Sequence, residues 1–332
     1  MPRLKDFRTF LFSALLLTGH AVLADSGEQL MQRGAEFARQ GQVTQALDHW
    51  QQALTVFRTE GQHAGQARAW YRIGMLHFQH GHYSDALQAF NQAQYLLQKR
   101  PHAAMQSAVS AAMGSVYLQL GDLNQALPLL TNALALAKQQ QLAGQSAAIL
   151  NDLANLAVRK GRYTAAITHY QAALSLIATE KGMALLRIRL YSNAMVAARM
   201  AGNQKQLQDD SQQLQAQLKQ LAPDEVKISA LIQAADVYRW LTTRPSPAQQ
   251  RYADLAVQLL QQAIEHTADL NRPLLRAQAL GGLAQLYYQA GRDQDALRLN
   301  RQALFLAQQG QVIGNVGGGT AALAHHGIDQ KR

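Results

Sequence analysis

WYRIGMLHFQHGHYSDALQAFNQA, residues 70–93, decides the fold. Trp70, Ile73, Gly74, His77 and Phe78 recur at offsets of three, four, seven and eight, which lines one face of a helix. Gly81 interrupts that period, and a glycine just past the last periodic residue is a helix stop. Ser84 and Asp85 are the candidate caps of a second helix, on which Ala86, Phe90 and Ala93 follow at steps of four and three. Gly74, Ala86 and Ala93 are small enough for two helix backbones to cross closely, and Trp70, Ile73 and Phe90 fill the space around the crossing. The stretch reads as a helical hairpin that needs neighbours to bury its outer faces.

Those neighbours are in the same chain. Glycine followed by a helix restart recurs at Gly41, Gly81, Gly121, Gly161 and Gly202, a period of about forty residues. GQVTQALDHWQQAL, GHYSDALQAFNQAQ, GDLNQALPLLTNAL and GRYTAAITHYQAAL align without gaps. Paired alanines (Ala46/Ala53, Ala86/Ala93, Ala126/Ala133, Ala166/Ala173) flank one large residue each: Trp50, Phe90, Leu130 and Tyr170. After Gly202 the pattern weakens. Leu207 and Leu214 stand where the alanines belong and are expected to push their two helices apart. Pro223, Asp224 and Glu225 suit the start of a new helix, and Pro245 and Pro247 imply an enlarged turn. A last good copy runs from Leu280 to Ala303. The fold expected is all-α: a right-handed α-solenoid of seven hairpins, the fifth and sixth degenerate, with a concave inner surface.

The hairpin at 70–93 closely resembles the tetratricopeptide repeat, whose first helix carries Trp-x-x-Leu-Gly-x-x-Tyr and whose second carries Ala-x-x-x-Phe-x-x-Ala. His77 replaces the Tyr. Forty residues exceed the family's usual thirty-four, and the excess is expected to lengthen both the helices and the joint between hairpins. LNDLANLAVRKGRYTAAITHYQAAL and GRDQDALRLNRQALFLAQQG resemble the long repeats of kinesin light chains and of the N-terminal regions of bacterial proteins that end in a caspase-like CHAT peptidase domain. The resemblance implies protein binding in the groove lined by the first helix of each hairpin. It implies groove roles for Tyr71, Met75 and Phe78, and for Asn151, Asn155 and, one residue displaced, Asn193. Asparagine amides can donate to and accept from the main chain of an extended peptide. Arg159, Arg189 and Arg199 add positive charge along the same groove, favouring an acidic or carboxylate-terminated segment. The asparagines could instead serve contacts between helices, since buried amides commonly find internal partners.

Residues 1–24 read as a cleaved secretory signal: a basic start at Arg3, Lys5 and Arg8, a short apolar run from Phe10 to Leu17, and Val22-Leu23-Ala24 before the cut. The run is too short to span a bilayer, so a periplasmic or secreted location is expected, with residues 25–310 forming the repeat domain and 311–332 a Gly-rich disordered tail. The alternative is that the chain is the regulatory or docking half of a longer CHAT-type protein, truncated in the tail.

Composition excludes much else. There is no cysteine, hence no disulfide, thiolate metal site or cysteine nucleophile. The formal charge is +10, of which +2 lies in the signal. The Lys and Arg are dispersed and no stacking platform interleaves with them, which argues against nucleic acid and for acidic partners. GNVGGG lacks the strand and helix of a dinucleotide loop, and no phosphate loop or H-E-x-x-H occurs. His77, His80 and His82 straddle a helix end and show no acidic partner in the sequence pattern, so no metal site is expected there. The chain is expected to be a binding module rather than an enzyme, with no cofactor.

Overall fold

The computed structural model describes residues 25–243, 246–270 and 272–316. Residues 1–24, read from the sequence as a signal, and most of the segment expected to be a tail lie outside the described residues. All regular structure among the described residues is helical. The first four hairpins are α1 (Gly27–Arg39) with α2 (Val43–Thr59), α3 (His63–Gln79) with α4 (Tyr83–Lys99), α5 (Ala103–Leu120) with α6 (Leu123–Gln139), and α7 (Ala143–Arg159) with α8 (Tyr163–Leu176). The last three are α9 (Ala184–Met200) with α10 (Gln204–Gln220), α11 (Glu225–Thr242) with α12 (Gln249–Leu270), and α13 (Pro273–Gln289) with α14 (Asp293–Val316). None is long and apolar enough to cross a membrane.

The forty-residue period has a simple origin. In α2, α3 and α4 each helix is 17 residues long. The joints at 40–42, 60–62, 80–82 and 100–102 each take three residues, whether they lie within a hairpin or between two. In these repeats the extra length therefore goes into the helices, and the joint between hairpins is no longer than the turn inside one; only further on, at 177–183 between α8 and α9, does a joint first lengthen. Gly81 shows how such a joint closes. It takes φ 74°, where a side chain would strain the backbone. The His82 N–H then donates to the His77 carbonyl at 2.9 Å and the Gly81 N–H to that of Phe78 at 3.1 Å, closing the α3 C-terminus. α4 starts at Tyr83 with His82 as its N-cap, so Ser84 and Asp85 lie inside its first turn instead of capping it.

Glycine lets the two helices of a hairpin meet face to ring. A Cβ on Gly74 would lie 2.5 Å from Phe90 Cε1, one on Gly34 2.4 Å from Trp50 Nε1, and one on Gly114 2.7 Å from Leu130 Cγ. The flanking alanines Ala86 and Ala93 are wholly buried beside Phe90. This unit repeats as a ribbon of core between two layers of helices.

The fifth hairpin departs from the rule. Leu207 and Leu214 are fully buried, and α9 and α10 touch each other less than the helices of any other hairpin. α11 then leans more on α9 than on α10, reversing the order seen at every other step. Between Thr242 and Gln249 the chain takes a longer connection than the three-residue joints, around Pro247. α14 continues to Val316, into the segment assigned to the tail.

Candidate binding groove

Odd-numbered helices approach one another along the whole array, α1 to α3, α3 to α5 and so on to α13, whereas even-numbered helices stand further apart and reach one another only through long side chains, as Gln171 on α8 does to Gln206 on α10. The odd helices, whose backbones approach most closely, therefore form the tightly curved inner layer, and their free faces line the groove.

Polar side chains lace this layer together. Ser115 on α5 donates to Asp152 Oδ2 on α7 at 2.5 Å, and the Asn151 amide donates to Asp152 Oδ1 at 3.2 Å. Asn193 on α9 donates to Asn151 Oδ1 at 2.8 Å. Three successive inner helices are thus joined through one carboxylate. Burial raises the Asp152 pKa, while the Ser115 and Asn151 hydrogen bonds and the Arg189 charge pull it back down. Asn151 is itself buried, at 4% exposure, with both its oxygen and its nitrogen engaged. Asn155, one turn on, is half-buried. Its oxygen accepts the Tyr170 hydroxyl at 2.6 Å. Burial, and secondarily Asp152, pushes the Tyr170 hydroxyl pKa up, so Tyr170 stays a proton donor. The structure thus brings Asn151, Asn155 and Asn193 together, with Asn151 a structural junction and Asn155 the more open amide.

The arginines separate. Arg189 lies one helical turn before Asn193, on the same face. Arg159 and Arg199 occupy the last turns of α7 and α9, at the opposite rim. Arg189 opens instead onto a pocket of about 730 Å³ between α9 and α11 that is also lined by Arg39 from the last turn of α1. Leu185, Leu186 and Val226 give the pocket an apolar wall. Glu225, on its edge, is held by Arg272 at 2.8 Å. Arg39 was not foreseeable from the sequence, because only the curl of the array carries it to α9. Asp152 had one signal: it follows Asn151 on the inner layer, one step from the Ser115 helix.

Tyr71, Met75 and Phe78 sit in the earlier, apolar part of the groove, all half-buried. Tyr71 lines a hollow of about 250 Å³ with Met31, Ala35 and Met105, edged by Arg68 and Arg72. Burial raises the Tyr71 pKa. Phe78 stacks at a tilt on Tyr83, ring centroids 6.0 Å apart. The groove is therefore largely apolar on α3, around Tyr71, Met75 and Phe78, and polar from Ser115 on α5 through α7 to α9.

A family model described as tetratricopeptide repeat matches residues 30–99 and 104–179, and a second of the same description matches 276–309. The chain belongs to the tetratricopeptide repeat family. The TPR array resembles BtubC (BKLC) from P. vanneervenii at 18% identity, covering 75% of this chain and 97% of that one, with TM-score 0.51. It resembles the apo form of RapI at 11% identity over 86% and 99% of the two chains, TM-score 0.57. A Rap protein complexed with competence and sporulation factor matches at 13% identity over 86% and 76%, TM-score 0.56. At these identities the likeness is one of fold. No curated protein sequence matches. The unmatched stretch between 179 and 276 holds the degenerate fifth and sixth hairpins.

Proposed function

We propose that this TPR protein is an exported scaffold that holds an extended, acidic or carboxylate-terminated segment of a partner protein along its inner layer. The observation that carries this is the pocket that Arg39 and Arg189 both line, one helical turn along α9 from the Asn151–Asn193 bond. Two exposed guanidinium groups over an apolar wall suit a carboxylate next to an apolar side chain. The Asn155 amide nitrogen, its oxygen being taken up by Tyr170, would serve a backbone carbonyl of the same segment. The solved Rap complex supports a ligand-holding use of this fold. Export rests on the basic start, apolar run and Val22-Leu23-Ala24 site, with Asp25 as the mature N-terminus.

Affinity capture from a periplasmic extract tests both parts. The tagged protein recovered there should begin at Asp25. Its partner should be retained by the wild type, lost by the Arg39→Ala/Arg189→Ala pair, and weakened by roughly 1–3 kcal/mol in Asn155→Ala. Equal retention by all of these at unchanged melting temperature would remove the groove from consideration.

A further inference from the structure

The turn of the second hairpin brings together three side chains that the groove does not use. His77 in the last turn of α3, His82 at the α4 N-cap and Asp85 in its first turn place one ligand atom each within 4.8 Å of one another. The His77 Nδ1 to Asp85 Oδ2 separation is 3.9 Å. Among the described residues no other three His, Asp or Glu side chains converge in this way. The backbone under them is fixed, because His82 N–H bonds to His77 O at 2.9 Å and Ala86 N–H to His82 O at 3.0 Å.

Comparison with the other hairpins shows what this arrangement lacks. At the position of His82, Asp122 and Asn203 cap their helices, accepting from Gln125 N–H at 3.0 Å and Gln206 N–H at 3.1 Å. His82 makes no such bond, so its ring is free for another use. In the seventh hairpin the same three positions are Tyr287, Arg292 and Asp295. There the Arg292 guanidinium bonds Asp295 at 2.6 and 2.9 Å and lies 4.1 Å from the centre of the Tyr287 ring. The fold thus gathers these positions around a cation in hairpin seven. In hairpin two it gathers two imidazoles and a carboxylate around the same point, with no cationic side chain of their own.

The geometry points to a divalent transition-metal site at His77, His82 and Asp85, taking Zn²⁺ or a similar late first-row ion. Two imidazole nitrogens and one carboxylate oxygen are a borderline donor set suited to such ions, and hard ions prefer all-oxygen cages. Three protein ligands leave a position for water. The bound ion ties the end of α3 to the start of α4 and stabilises that hairpin, because it binds the folded turn only. His80, exposed on the same turn, lies outside the converging set.

Calorimetric titration of the mature protein with Zn²⁺, paired with thermal melts, tests the site. A background carrying His325→Ala and His326→Ala removes the tail imidazoles as competitors. One ion should bind in that background and raise the melting temperature. His82→Asn, which restores the cap residue found at Asn203, and Asp85→Asn should each weaken binding at least about tenfold while the helical circular dichroism stays the same. His80→Ala should bind as the parent does. Absence of binding in the His325/His326 background would overturn the proposal, as would affinity unchanged in both His82→Asn and Asp85→Asn.

Discussion

Asp210 on α10 has one carboxylate oxygen bonded to Gln206 at 2.9 Å and the other buried without a partner. Burial raises its pKa from 3.8 to about 6, the neighbouring Asp209 adds to the rise, and the Gln206 bond opposes it. The folded state therefore holds this proton more tightly than the unfolded chain does. Stability from this group is present below about pH 4 and lost as the pH climbs from about 4 to about 6. Asp210→Asn keeps an acceptor for Gln206 and carries no charge. It should raise the melting temperature at pH 7 and lose that advantage below about pH 4, measured by melts across the range. A variant no more stable than wild type at pH 7 would mean that the ionised carboxylate is compensated in place. Asp152 is raised in the same direction, yet both its oxygens are hydrogen-bonded, and the residues that bond it belong to the groove. Neither carboxylate stood out in the sequence, because periodicity tells which helix face a residue occupies and not which neighbouring side chains close over it. For the same reason Asn151 was legible as an inner-face residue, whereas its burial between Asn193 and Asp152 was not.

Within a hairpin, the contact of glycine with a ring decides how closely the helices approach. Gly74→Ala sets two effects against each other. Removing glycine from a helix interior gains about 1 kcal/mol in propensity. The new Cβ would lie 2.5 Å from the Phe90 ring, which is held by wholly buried Ala86 and Ala93, and overpacking of this kind costs about 1–3 kcal/mol. The substitution should therefore destabilise, and Phe90→Ala, which removes the ring that the new Cβ meets, should cost less in the double variant than on its own. Denaturant melts of the three variants measure the coupling. A stabilising Gly74→Ala would show that the ring can move aside. Helix identity and pairing were legible at this scale because the period and the alanine pairs repeat. The start of α4 at Tyr83 was misplaced by the sequence, since Ser84 and Asp85 are common cap residues and His82 is an N-cap that makes no side-chain cap bond. The lean of α11 onto α9 was hidden as well: Leu207 and Leu214 announced a weaker hairpin, but the next helix's shift depends on the shape those leucines leave behind.

At the scale of the whole molecule each hairpin touches only its neighbours, so the distance between hairpins one and five is set by small bends summed along the array. Yet Arg39 of α1 and Arg189 of α9 line one pocket. A segment whose carboxylate engages both must fix that distance, and the repulsion of the two guanidinium groups favours a slightly wider opening in its absence. The chain has no cysteine, so cysteines introduced at exposed Gln40 and Lys181 can be spin-labelled without background. The distance distribution between them should be broad in the free protein. It should narrow and shorten when the captured partner segment is added. Raising the salt should broaden it again, because exposed charges more than about 10 Å apart are screened at 0.1 M ionic strength and closer ones weaken as the concentration rises. Arg189→Ala should abolish the narrowing and, by relieving the repulsion, shorten the free distance slightly, while the melting temperature stays nearly unchanged, since Arg189 is exposed. A partner that binds fully with no change in this distance would sit in the apolar hollow around Tyr71 or on the outer layer, away from the arginines that close the curl.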